Sequence, residues 1–113
     1  MSTYPTLLGI LPSQSSLSRP ANHQLERQYL VNVPDATKQE TIVRTGTDFQ
    51  ALIRASRRSK LKFAVVFPQK KFYKMTTTDD PRTHVKTLKL VNAFFKSCEE
   101  LAQDQPWWPL FLS

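Results

Sequence analysis

The chain has 113 residues, enough for one domain that buries roughly two-thirds of its unfolded surface, and its ordinary hydrophobic content includes seven Phe and a single Cys. One cysteine excludes an intramolecular disulfide framework, and no apolar run approaches the roughly 20 residues needed to span a bilayer. Sixteen Lys and Arg against nine Asp and Glu leave a net charge of +7, a balance that favours polyanionic partners through long-range attraction and counterion release.

Residues 1–24 are rich in Ser and Pro, and Pro5, Pro12 and Pro20 interrupt any regular element, so the spacing predicts an extended arm. Within it Leu7, Leu8, Ile10 and Leu11 form an apolar patch that docks either on this domain or on a partner. No basic residue precedes Arg19, so the charged start of a secretory signal is missing and the expected location is intracellular, cytoplasmic or nuclear. From residue 25 to 104 the pattern is that of a folded α+β domain. Tyr29, Val31 and Val33 alternate with Leu30 and Asn32, Pro34-Asp35-Ala36-Thr37 supplies turn chemistry, and Ile42 and Val43 lie among β-branched neighbours, which predicts a hairpin. After Gly46, Thr47 followed by Gln50 has capping-box spacing, and Phe49, Leu52, Ile53 and Ser56 give a helical stripe ending near Ser59.

Leu61, Phe63, Val65 and Phe67 recur every second residue, and Pro68 presets a turn, so residues 61–76 read as a second hairpin. In that reading Lys62 looks outward, and Tyr73 and Met75 share the core face while Phe72, Lys74 and Thr76 look outward, unless an odd loop or bulge reverses the second strand. A long helix follows, with Asp80 as N-cap and Pro81 in its first turn, and with Val85, Leu88, Val91, Phe94, Phe95, Cys98, Leu101 and Ala102 in one stripe. The position of Cys98 on that stripe predicts a buried, unreactive thiol. Two β-β-α units therefore pair into a four-stranded antiparallel sheet with both helices on one face. Residues 105–113 form a Trp- and Pro-rich tail in which Trp107, Trp108, Leu110 and Phe111 either fold back over the domain or anchor a partner.

Chemistry-bearing groups are few. His23 and His84 are the only neutral-pH bases, neither has the spacing of a nucleophile pair, and His84 with Asp79 and Asp80 lacks a further Cys or His to complete a metal site. With only Gly9 and Gly46 there is no phosphate-cradling glycine loop. No catalytic residue, cofactor or metal is therefore expected, and the chain reads as a non-enzyme. The dense feature is basic: Arg54, Arg57, Arg58, Lys60 and Lys62, then Lys70, Lys71 and Lys74. Arg forks suit phosphate oxygens, and Phe72 offers a stacking surface on the open sheet face, so RNA or single-stranded DNA is the expected partner. The alternative is a protein-interaction adaptor or accessory subunit of a viral or multisubunit assembly, homo- or heterodimeric, that grips its partner with the apolar arm and tail.

Phe49 at the head of the first helix, Val65-Val66, Tyr73-Lys74, and Thr78-Asp79 leading to Val85-Lys86 and Leu88-Lys89 give residues 49–96 a pattern that resembles the small Alu-domain proteins of the signal recognition particle. That resemblance implies an α-β-β-β-α sandwich that heterodimerises and binds RNA through its sheet. This sequence departs from the pattern by lacking the middle strand and by carrying a hairpin before the first helix.

Overall fold

A computed structural model describes residues 4–11, 27–35 and 37–113. The fold is α+β. Three strands, β1 (Thr6–Ile10), β2 (Gln28–Pro34) and β3 (Gln39–Thr45), form an antiparallel sheet in the order β1-β2-β3. Four helices follow: α1 (Gly46–Arg58), α2 (Gln69–Thr77), α3 (Pro81–Leu101) and α4 (Trp107–Leu112).

The hairpin read from Tyr29, Val31 and Val33 is β2–β3, with Tyr29 opposite Arg44 and Val31 opposite Ile42. Asp35 N–H donates to the Lys38 carbonyl at 2.7 Å to close its turn. Because side chains alternate across a strand, the fully buried Tyr29 and Val31 face the helices, and Leu30 and Asn32 face the other way. The third strand comes from the segment expected to be an irregular arm. Pro5 is buried just before β1, where a missing N–H does not interrupt the ladder, and an irregularity between Leu7 and Gly9 shifts the register while Leu7 packs into the core. The outer margin of β1 is covered: Leu7 N–H donates to Asn92 Oδ1 of α3 at 2.6 Å.

Helix α1 starts two residues earlier than the spacing predicts. Thr45, not Thr47, is the N-cap; Asp48 N–H donates to Thr45 Oγ1 at 3.3 Å and Thr45 N–H donates to Asp48 Oδ2 at 2.8 Å. The stripe of Phe49, Leu52, Ile53 and Ser56 is buried as its period requires. The helix ends at a turn where Lys60 takes a left-handed backbone, φ 59°, more usual for Gly or Asn.

The second hairpin does not form, and this removes the expected four-stranded sheet. Residues 61–68 are irregular, and residues 69–77 are helical. The alternation of residues 61–67 is kept by the side chains but not by a hydrogen-bonded strand backbone. Leu61, Phe63 and Val65 are partly buried and Phe67 is buried, while Lys62, Ala64 and Val66 are exposed, yet no ladder pairs this extended segment. Beyond Pro68, Gln, Lys and Met are good helix formers, and Phe72, Met75 and Thr76 at helical spacing supply the buried face of α2. That helix reverses two orientations: Phe72 is 7 % exposed in place of an outward platform, and Tyr73 is 62 % exposed in place of a core residue. Thr76 is also buried, its hydroxyl donating to the Phe72 carbonyl at 3.2 Å.

Helix α3 keeps the expected start, with Arg82 N–H donating to the Asp80 carboxylate at 3.0 Å and Pro81 in its first turn. Val91, Phe94, Phe95 and Cys98 are buried, but Val85 and Leu101 at the two ends of the stripe are exposed. The tail folds back as α4. Trp108 stacks on Phe111, both rings approach Phe95, and Phe111 meets Phe49 edge-on at 5.2 Å, so the tail completes the core between α1 and α3. Trp108 Nε1 donates to the Glu99 carboxylate at 3.0 Å, and Arg44 lies over the Phe111 ring while donating to the Phe111 carbonyl at 2.6 Å.

Candidate functional site

Between Phe49 and Thr78 the chain contains eight Lys and Arg and no Asp or Glu, so this segment alone carries more than the whole net charge of +7. All eight cations, Arg54, Arg57, Arg58, Lys60, Lys62, Lys70, Lys71 and Lys74, are exposed. The ion pairs among the described residues are Arg27 with Asp79 and Lys38 with Glu40, and none of the eight takes part in them.

Three of these cations, Arg54, Arg57 and Lys62, line two hollows that share Arg57. A narrow cleft between α1 and the start of α2 is lined by Gln50, Ile53, Arg54, Arg57, Gln69 and Phe72. A larger cavity of about 400 Å³ under the 61–67 segment has Arg57 and Lys62 in its wall. Arg57 Nη2 donates to the Phe67 carbonyl at 3.3 Å, which holds the guanidinium over the junction. On α2, Lys70, Lys71 and Lys74 stand three and four positions apart and are exposed, while Phe72 and Met75 are buried. The first turn of α2 holds no acidic residue.

The expected site is thus partly assembled and partly redistributed. Arg54, Arg57 and Lys62 line the two adjoining hollows, whereas Arg58, Lys60 and the lysines of α2 are exposed but line neither. They do not border an open sheet face. Lys62 belongs to the irregular segment, Lys74 to α2, and Phe72 is a core residue. The sheet's own outer face instead carries Leu8, Leu30, Asn32, Thr41 and Val43, with no cation and no aromatic ring among the described strand residues. The exposed ring beside the lysines is Tyr73, which strand periodicity hides and helical periodicity exposes. Of the apolar residues assigned to partner binding, Leu7, Trp108 and Phe111 are buried, and Ile10 and Trp107 pack against the core. Leu11 is half-buried, and Leu8 and Leu110 remain exposed, at 53 % and 73 %.

Of the groups that an enzyme or metal reading would need, His84 adjoins Asp80, its N–H donating to the Asp80 carbonyl at 3.1 Å, and Cys98 is remote from both. His84 Nε2 lies 2.7 Å from the Thr78 carbonyl at the start of α3, whereas Cys98 is fully buried about 21 Å further along the same helix. Burial, helped by the charge of Glu99, pushes the Cys98 thiol up to about 12, so it carries no thiolate near neutral pH. Among the described residues no group of three His, Cys, Asp or Glu is close enough to hold a metal ion. His23 lies outside the described residues. No described helix is long and apolar enough to cross a membrane.

One structural residue escapes sequence reading. Arg27, 4 % exposed, donates from Nε to the Leu11 carbonyl at 3.0 Å and from Nη1 to the Thr78 carbonyl at 2.7 Å. Its Nη2 pairs with the Asp79 carboxylate, so one guanidinium ties the end of β1 to the α2–α3 junction. No family model matches this chain, and neither the curated proteins nor the solved structures contain a match to it.

Proposed function

We propose that this protein is a small non-enzymatic module that binds single-stranded nucleic acid, RNA or DNA, along the band running from α1 over the 61–67 segment to α2. The observation that carries this reading is the stretch of eight exposed cations, uninterrupted by any carboxylate and free of ion pairs with the described residues. Charge held unpaired on one band is costly to a fold through self-repulsion, and a polyanion that displaces its own counterions relieves it. Arg54, Arg57 and Arg58 offer forks to phosphate, the lysines of α2 act as point charges, and Tyr73 supplies a π-face for a base. Single strands are favoured because an exposed ring serves only a base that is already unstacked. The intracellular location expected for such a protein follows the same reading.

The test is a salt titration of binding to single-stranded RNA, single-stranded DNA and duplex. Log affinity should fall with log salt by roughly 0.7 for each phosphate met by a single-strand contact. Replacing Arg57, Arg58 and Lys60 together by Glu should abolish retention on a single-stranded nucleic-acid column at moderate salt, and Tyr73→Ala should weaken binding by about 1–3 kcal/mol without changing the salt slope. Retention unaltered by the triple replacement would reject the band as the binding surface.

A further inference from the structure

The larger of the two hollows has a character that the charge band does not explain. Its wall is built from Leu61, Phe63, Val65, Phe67 and Phe94, and its volume, about 400 Å³, falls within the range of small-molecule sites. Few side-chain polar groups reach it. The Ser56 hydroxyl is already committed to the Ile53 carbonyl at 2.7 Å, which leaves Arg57 and Lys62, both exposed, as the charged groups in the lining. Leu61, Phe63, Val65 and Phe67 of the irregular 61–67 segment pack in or against the core and line this space, and no described strand pairs with the segment. Apolar walls with two cations beside them select a ligand that is aliphatic at one end and anionic at the other.

We infer that the cavity beneath residues 61–67 binds a free single-chain amphiphilic anion, with its aliphatic chain against Phe63, Val65, Phe67 and Phe94 and its head group at Arg57 and Lys62. A nucleobase fits this space less well, because its edge donors and acceptors would face hydrocarbon without partners. An amphiphile leaves nothing polar inside and places its charge where two exposed cations await it. The inference shares Arg57 and Lys62 with the nucleic-acid reading but is told apart from it by salt: it concerns a ligand with one charge, whose binding depends weakly on salt, whereas a polyanion's depends steeply.

Trp107 lies 6.4 Å from the Phe63 ring and reports on the cavity. Titrating the full chain with dodecanoate below its micellar concentration should give a saturable change in tryptophan fluorescence and a one-to-one calorimetric stoichiometry. The Arg57→Gln, Lys62→Gln double variant should bind dodecanoate at least about tenfold more weakly, while its unfolding midpoint, lowered only by loss of the Arg57 bond to the Phe67 carbonyl, should stay well above the titration temperature. Any of four results would overturn the inference: no saturable response to dodecanoate, an equal response to dodecyltrimethylammonium, an equal response to cytidine monophosphate, or undiminished affinity in the double variant. Binding to anionic vesicles without binding to free dodecanoate would equally overturn it, since the ligand would then be a membrane surface.

Discussion

Arg27 shows how one side chain decides whether separate segments share a fold. Its guanidinium is almost fully buried, but the Asp79 carboxylate it pairs with is more than half exposed, so most of its value lies in the backbone carbonyls of Leu11 and Thr78 that it satisfies. Arg27→Ala removes the side-chain donor from the Leu11 carbonyl and leaves the Thr78 carbonyl with the His84 ring alone, and should lower the unfolding free energy by about 1–3 kcal/mol in a denaturant titration. Asp79→Asn, at the exposed end of the same pair, should cost less than about 1 kcal/mol. Equal losses would place the stabilisation in the ion pair instead. Cys98 makes a different residue-scale prediction. Its folded value of about 12 exceeds its ordinary value of 9.0, so the folded protein holds the proton more tightly than the unfolded chain does. The associated stability is fully present below about pH 9 and is lost as pH rises towards about 12. The denaturation midpoint should therefore drop across that window in the native chain and drop less in Cys98→Ala, and thiol reagents should reach Cys98 only on unfolding. The buried hydroxyl of Tyr29 is shifted in the same direction, well above the ordinary phenol range by burial and partly offset by the charge of Arg27.

At the scale of elements, what could be read from the sequence depended on whether period and propensity agreed. They agree for β2–β3 and for the stripes of α1 and α3, and those elements stand where the pattern puts them. They conflict in residues 61–77. There, alternation in the first half reflects a chain laid against Phe94 without a strand partner, and the second half carries helix-forming residues whose apolar positions suit either period. The conflict exchanges Phe72 for Tyr73, so the charges of the candidate site were legible and its exposed aromatic ring was not. Strand β1 escapes notice because Pro5 and Gly9 weaken every local signal; its strand form comes from pairing with β2 and from the side chain of Asn92. The start of α1 is ambiguous for a simpler reason: Thr45 with Asp48 and Thr47 with Gln50 offer the same spacing two residues apart, and the pair adjoining the end of β3 is the one used.

For the whole molecule, the tail is part of the structure. Trp108 is 1 % exposed and Phe111 7 %, and truncating a buried aromatic side chain typically costs about 3–5 kcal/mol against a total stability of about 5–15 kcal/mol. Removing residues 107–113 should therefore abolish cooperative thermal unfolding and the near-ultraviolet dichroism of the packed rings. A truncated chain that still melts cooperatively would show that the remaining helices close the core by themselves. The same architecture divides the molecule chemically. Every cation of the proposed contact band belongs to the helical layer or to the segment joining α1 to α2, whereas the described strand residues on the side of the sheet turned away from the helices are uncharged and leave Leu8 and Val43 in solvent. A polyanion drawn to the helical layer would consequently leave that far side bare, its aliphatic residues still facing water.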